Sequence, residues 1–216
     1  MKHIFVYGAG GHGKVIVDTV GNGQVRYAVT HLIDDDVRLH GRDLLGYPIR
    51  GPDGLDLDRG FIAIGDNASR LRIASRYQGR LVTLLHRTAV LGRDVQMGEG
   101  SVLMAGAIVN VGTTLGANVI INTAATVDHD CVIEDGVHVA PGCHLCGNVE
   151  VGEGSLLGVG TLVVPGIRIG KKVFIHAGQT ITRDVPDGET VRASRGRPGG
   201  SMTEMTETSA FSSHPA

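Results

Sequence analysis

From Ala89 to Asp184 the chain divides without a gap into sixteen hexads, opening AVLGRD, VQMGEG, SVLMAG and closing VFIHAG, QTITRD. The third position is apolar in every one, from Leu91, Met97 and Leu103 through Val127, Ile133 and Val139 to Ile175 and Ile181. A period of six matches neither an amphipathic helix nor a simple alternating strand. It fits a short extended run closed by a turn. Three such sides close a coil of eighteen residues, and stacked coils pair strands edge to edge about 4.8 Å apart. The third positions then stack inside as columns, while the Gly, Asp and Asn that recur at the sixth position occupy the corners. Residues 87–190 are thus expected to form a parallel β-helix of a little over five coils.

The first 86 residues follow another pattern. Lys2 to Tyr7 is an apolar, β-rich run, followed by Gly8-Ala9-Gly10-Gly11-His12-Gly13-Lys14 and an amphipathic stretch from Val15 to Val20. Arg26 to Ile33 reads as a second strand ending at Asp34-Asp35-Asp36, and Phe61 to Ile64 as a third ending at Gly65-Asp66-Asn67. A helix is expected over Ala68 to Tyr77 and a fourth strand over Leu81 to Leu85. Strands alternating with helices predict a small parallel α/β domain, Rossmann-like, over residues 1–86. After Asp184 the hexads stop. Residues 191–216 form a C-terminal segment expected to be disordered from about residue 201, where Ser, Thr and Glu dominate.

Composition sharpens this picture. Glycine contributes 33 of 216 residues and aromatics only 4%, with no tryptophan, so the interior must be filled by small and branched side chains, as a narrow repetitive core requires. A net charge of −2 supplies no basic face for a nucleic-acid backbone. The apolar runs are far shorter than the ~20 residues of a membrane span. A cytoplasmic protein is the expectation.

Three motifs carry candidate chemistry. Gly8-x-Gly10-x-x-Gly13 follows a strand and opens a helix, with Asp34 and Asp35 downstream, the layout in which bare backbone and a helix N-terminus meet phosphate. A domain of this size is about half a doubly wound fold, which suits a mononucleotide or sugar nucleotide better than a dinucleotide. His129 stands at a turn corner in Val127-Asp128-His129-Asp130, where a neighbouring carboxylate stabilises the imidazolium and makes the ring a proton acceptor near neutral pH. His138 lies half a coil away and points elsewhere, so the two imidazoles would meet only across a subunit interface. Of the cysteines Cys131, Cys143 and Cys146, the last two form a single C-x-x-C with no second pair at zinc spacing, and Cys131 and Cys143, at first positions of their hexads, read as small core fillers; no metal is expected.

Together these segments resemble the hexapeptide-repeat acetyltransferases with an N-terminal nucleotide-sugar domain: the bacillosamine- and perosamine-type sugar-nucleotide N-acetyltransferases and the related sialic-acid O-acetyltransferases. The resemblance rests on Val6–Gly13, on Phe61–Asn67, on Asn122–Cys131 with His138–Gly142, and on Leu145–Val149. It implies a left-handed parallel β-helix, a homotrimer, and acetyl-CoA as co-substrate in grooves between neighbouring helices. It implies His129 as general base with Asp130 as its orienting carboxylate. Asn122, His138, Gly147, Val159 and Ala177 would line the acetyl-CoA site, with the Gly147 N–H on the thioester carbonyl. Gly10, His12, Asp34, Asp35, Gly65 and Asn67 would hold the acceptor nucleotide. The basic stretch Arg192, Arg195 and Arg197 only loosely matches the family's segment near the CoA nucleotide. The implied function is N-acetylation of a nucleotide-linked amino sugar. O-acetylation of a sialic-acid-type sugar and a non-catalytic nucleotide-binding module are the alternatives.

Overall fold

A computed structural model of the chain describes residues 1–53 and 58–192. Arg195, Arg197 and the segment expected to be disordered lie outside the described residues.

The N-terminal unit begins with β1 (Lys2–Tyr7), α1 (Gly11–Gly21) and β2 (Tyr27–Ile33). A short hairpin follows, β3 (Asp43–Leu44) and β4 (Tyr47–Arg50), and then β5 (Gly60–Ile62) and α2 (Asn67–Ala74). The sheet order is β3-β4-β2-β1-β5, with β1 lying between β2 and β5 and parallel to both. The hairpin was not evident from the pattern, because its strands are only two and four residues long. Its turn is made by Leu45 and Gly46, both in the left-handed region (φ 54° and 82°), as a two-residue hairpin loop requires.

One expected strand behaves differently. Leu81 to Leu85 is not a fourth strand of the α/β sheet. Leu81 bridges Gly60, whereas β6 (Leu84–Leu85) pairs in parallel with Val102–Leu103 of the β-helix. The segment passes from one sheet into the other, so the two units share a continuous backbone ladder. The run is apolar on both sides because each end is buried in a different core.

Beyond it, the described residues contain sixteen two-residue strands from Val90–Leu91 to Thr180–Ile181, then Thr190–Val191. They stack in three parallel sheets, one per side of the triangle. The rungs pair residues eighteen positions apart, as in Ile108↔Thr126 and Thr126↔His144, except at the end of the helix, where Phe174↔Thr190 is sixteen. From Leu103 onward the third-position side chains, with Cys131 and Cys143, form the buried axial core, whereas Met97 is half-buried against it and Leu91, in the first hexad, is exposed. Fully burying one such aliphatic residue contributes roughly 1.5–3 kcal/mol. Nearly every sixth position adopts positive φ, whether Gly or not, including Asn118 (57°), Asp130 (56°) and Asn148 (59°). That is why Gly, Asp and Asn recur there.

The three faces differ outside. The first presents Val90, Ile108, Thr126, His144, Leu162 and Thr180, and the second Gln96, Thr114, Val132, Glu150 and Arg168. The third presents Val102, Ile120, His138, Leu156 and Phe174. Val102 and Ile120 are fully buried in a core shared with Ile4, Val6, Ile16 and Phe61, so the α/β unit sits on this third face.

Candidate functional site

His129 and Asp130 occupy the corner between the first and second faces. The left-handed backbone at Asp130 turns its carboxylate back onto the preceding ring, and Oδ2 lies 2.8 Å from His129 Nδ1. A carboxylate only accepts, so Nδ1 carries the proton and Nε2 keeps its lone pair in the neutral ring. The hydrogen bond to Asp130 raises the His129 pKa, with the Asp128 charge adding to the effect. Asp128, which sequence reasoning did not single out, accepts the His129 backbone N–H and the Asn110 side-chain amide on one oxygen. Asn110 stands one coil below Asp128; the signal was the eighteen-residue spacing.

Gly147 stands one coil above His129 at the same corner. Its N–H donates to no group among the described residues, while Asn148 N–H next to it bonds the His129 carbonyl. A side chain at Gly147 would collide with the His129 ring. The corner therefore offers a free imidazole nitrogen and a free backbone donor side by side.

The acceptor-binding candidates gather at the C-terminal edge of the α/β sheet. Two glycines of the loop are demanded by packing: a Cβ on Gly8 would meet the Ala63 carbonyl at 2.6 Å, and one on Gly13 would meet the Gly8 carbonyl at 2.1 Å. Gly10 and Gly65 instead border open space, with nothing within 4 Å of such a Cβ. Gly10 is the N-cap of α1 and offers it no side-chain partner, so the helix start stays available to an anion. Asp34 closes the loop from below, accepting the Ala9 N–H (2.8 Å) and the Asp36 N–H (2.9 Å) on separate oxygens. Asp35 accepts a 2.5 Å hydrogen bond from the Tyr7 hydroxyl, whose pKa is pushed up by burial and by that carboxylate.

Across the unit boundary His12 faces His138, ring centroids 6.4 Å apart. Burial, with Arg70 nearby, lowers both pKa values to about 4, so both rings are neutral at pH 7. The tautomer of His138 follows from its neighbour. Asn122 Oδ1 accepts the Thr123 N–H, so its Nδ2 donates to His138 Nε2 at 3.0 Å, and the ring proton is on Nδ1. Among the described residues, His12 Nε2 and His138 Nδ1 are buried without hydrogen-bond partners. Asn67 departs from the expectation of a nucleotide-facing side chain. Both N–H groups of its amide are spent on the Gly154 and Ser155 carbonyls of the β-helix.

Within one chain these groups form two clusters. His12, Gly65, Asn122 and His138 meet where the α/β unit abuts the third face, whereas His129, Asp130 and Gly147 lie at the opposite edge of the first face. Val159 and Ala177 stack at the exposed corner between the third and first faces.

Comparison with known proteins gives this arrangement a context. Residues 3–77 match the model of the PglD N-terminal domain, and residues 130–165 that of the bacterial transferase hexapeptide (six repeats). UDP-N-acetylbacillosamine N-acetyltransferase of Bacillus subtilis (strain 168) is 35% identical over 118 residues, 49% of this chain and 52% of that protein. The chain thus spans about half the length of that curated relative in the match. The acetyltransferase domain of PglB from Neisseria gonorrhoeae FA1090 superimposes with a TM-score of 0.80 at 36% identity, covering 88% of this chain and 96% of that one. That domain has also been solved in complex with acetyl coenzyme A. PerB from Caulobacter crescentus, in complex with CoA and GDP-perosamine, superimposes with a TM-score of 0.79 at 35% identity, covering 88% and 93%. The match covers both units, and the chain belongs to the hexapeptide-repeat acetyltransferase family that carries a PglD-type N-terminal domain.

Proposed function

We propose that the protein is an acetyl-CoA-dependent N-acetyltransferase whose acceptor is an amino sugar linked to a nucleotide. The observation that carries this reading is the presence, in one chain, of an open glycine loop at a helix start and a His–Asp pair beside a backbone N–H unpartnered among the described residues. The first suits a diphosphate and the second suits acyl transfer.

In the proposed reaction the sugar amine attacks the thioester carbon while His129 Nε2 accepts the proton that the amine loses. The Gly147 N–H stabilises the oxyanion, a contribution of roughly 2.7–4 kcal/mol where single donors of this kind have been removed. The tetrahedral intermediate collapses with cleavage of the C–S bond, and the CoA thiolate recovers the proton from the imidazolium. Asp130 holds the productive tautomer throughout. Gly10, His12, Asp34, Asp35 and Gly65 would bind the nucleotide, and Asn122, His138, Val159 and Ala177 the acetyl-CoA. Because the two clusters lie at different edges of one helix, the complete centre is assembled between neighbouring copies, which is the reason to expect a trimer.

The test is thiol release from acetyl-CoA with a UDP-linked amino sugar, GDP-perosamine and free sialic acid as acceptors, with mass spectrometry of each product. Gain of one acetyl group on a nucleotide amino sugar supports the reading and identifies the carrier. Turnover of sialic acid alone replaces the acceptor. No turnover together with no CoA binding leaves a nucleotide-binding module.

A further inference from the structure

Arg70, in α2, is fully buried, and each of its five N–H groups has an acceptor. Nε donates to the Asn118 carbonyl at 3.0 Å. Nη1 donates to the carbonyls of Ile64 (3.0 Å) and Gly65 (3.1 Å), and Nη2 to Asn67 Oδ1 and the Gly136 carbonyl, both at 2.7 Å. Among the described residues it makes no ion pair. Asn67, three residues earlier and on the same side of the helix, reaches the Gly154 and Ser155 carbonyls at 3.0 Å each.

Asn118, Gly136 and Gly154 are eighteen residues apart, at the same left-handed corner of three successive coils. Their carbonyls receive no backbone N–H from the coils. The corner is therefore a ladder of unused acceptors, one per coil and about 4.8 Å apart. One side-chain pair fills three rungs. The same guanidinium also grips Ile64 and Gly65, the turn at the end of β5 that borders the acceptor cleft.

We propose that Arg70, seconded by Asn67, is a positioning residue that sets the height of the acceptor turn along the β-helix. The proposal rests on the acceptor site assigned above. A slide by one rung would carry the acceptor about 4.8 Å along the axis, whereas a misplacement of ~1 Å already costs about 10²-fold in rate. Intermediate seats are disfavoured because they strip hydrogen bonds from a buried charge. Lysine, with three donors on one atom, cannot span the same carbonyls.

The test uses the full chain with Arg70→Lys. The expected result is a loss of ~10- to 100-fold in kcat/KM for the nucleotide-linked acceptor, with KM for acetyl-CoA changed less than about twofold. Unchanged kcat/KM, or an equal deterioration in KM for acetyl-CoA, overturns the proposal. If the wild type acetylates no nucleotide-linked sugar, the functional reading fails separately and hydrogen exchange decides the docking claim. Arg70→Met and Asn67→Ala should then speed exchange over residues 60–77 and leave the coil amides protected; unaltered exchange over 60–77 overturns the proposal.

Discussion

Gly147 sits directly above His129, one coil along the helix, and a methyl group there would lie 2.5 Å from the ring Nε2. The glycine is a steric requirement of the imidazole as well as a source of a backbone donor. Gly112 does the same from below, since a Cβ on it would meet Asp130 Oδ1 at 2.5 Å. The pair is held in a slot cut by two absent side chains.

Gly147→Ala separates these roles, because it keeps the N–H and adds only the methyl group. The ring must then swing away from Asp130. The expected outcome is a fall in kcat of about 10²-fold or more with melting temperature nearly unchanged, as for other displacements of a reacting group. Steady-state kinetics alongside thermal melting checks it; wild-type kcat would show that the ring accommodates the methyl group in place.

His129→Ala should lower kcat by ~10²–10⁴-fold, the range for loss of a general base, without disturbing the coils. Near-normal turnover would remove His129 from the mechanism.

Asp130→Asn should shift the pH profile. The carboxylate raises the His129 pKa, and the base works only when deprotonated, so activity falls as pH drops through that raised value. With the charge removed, the imidazole stays neutral to lower pH. The acid limb of kcat should move to lower pH while the plateau falls, because the tautomer is no longer fixed. An acid limb that stays in place, or moves upward, contradicts the assignment.

The junction between the units should weaken in acid. His12 and His138 have folded pKa values of about 4, below the ordinary 6.5, so the unfolded chain binds more protons across that interval. Their contribution to stability is complete above about 6.5 and is lost as pH falls toward about 4. Melting temperature recorded across that window should decline, and His12→Asn should make the decline shallower. Equal slopes in the variant and the wild type would mean that the rings do not report on the junction.

The hexad columns made the coils, the buried third positions and the left-handed corners legible in the sequence. A β-helix repeats one local rule, so each residue's main neighbours are fixed at eighteen positions either way. The His129–Asp130 contact belonged to the same class, being set by two adjacent residues at a corner of known handedness. The glycine loop was readable too, although only the structure separates Gly8 and Gly13, which packing demands, from Gly10 and Gly65, which leave space.

What the tertiary structure alone decided is how the α/β unit meets the helix. Leu84 and Leu85 changed sheets because their partner strand is Val102–Leu103, a pairing that no local pattern encodes. Asn67 turned from the cleft to the coils and Arg70 became a buried hub, the two donating to the corner carbonyls of Asn118, Gly136 and Gly154, which receive no backbone N–H. Unpaired backbone acceptors carry no residue signature, since every amino acid has the same carbonyl. Periodicity specified the helix, whereas the pairing of Leu84–Leu85 with Val102–Leu103 and the core shared with the third face, which only the tertiary structure reveals, hold the second unit against it.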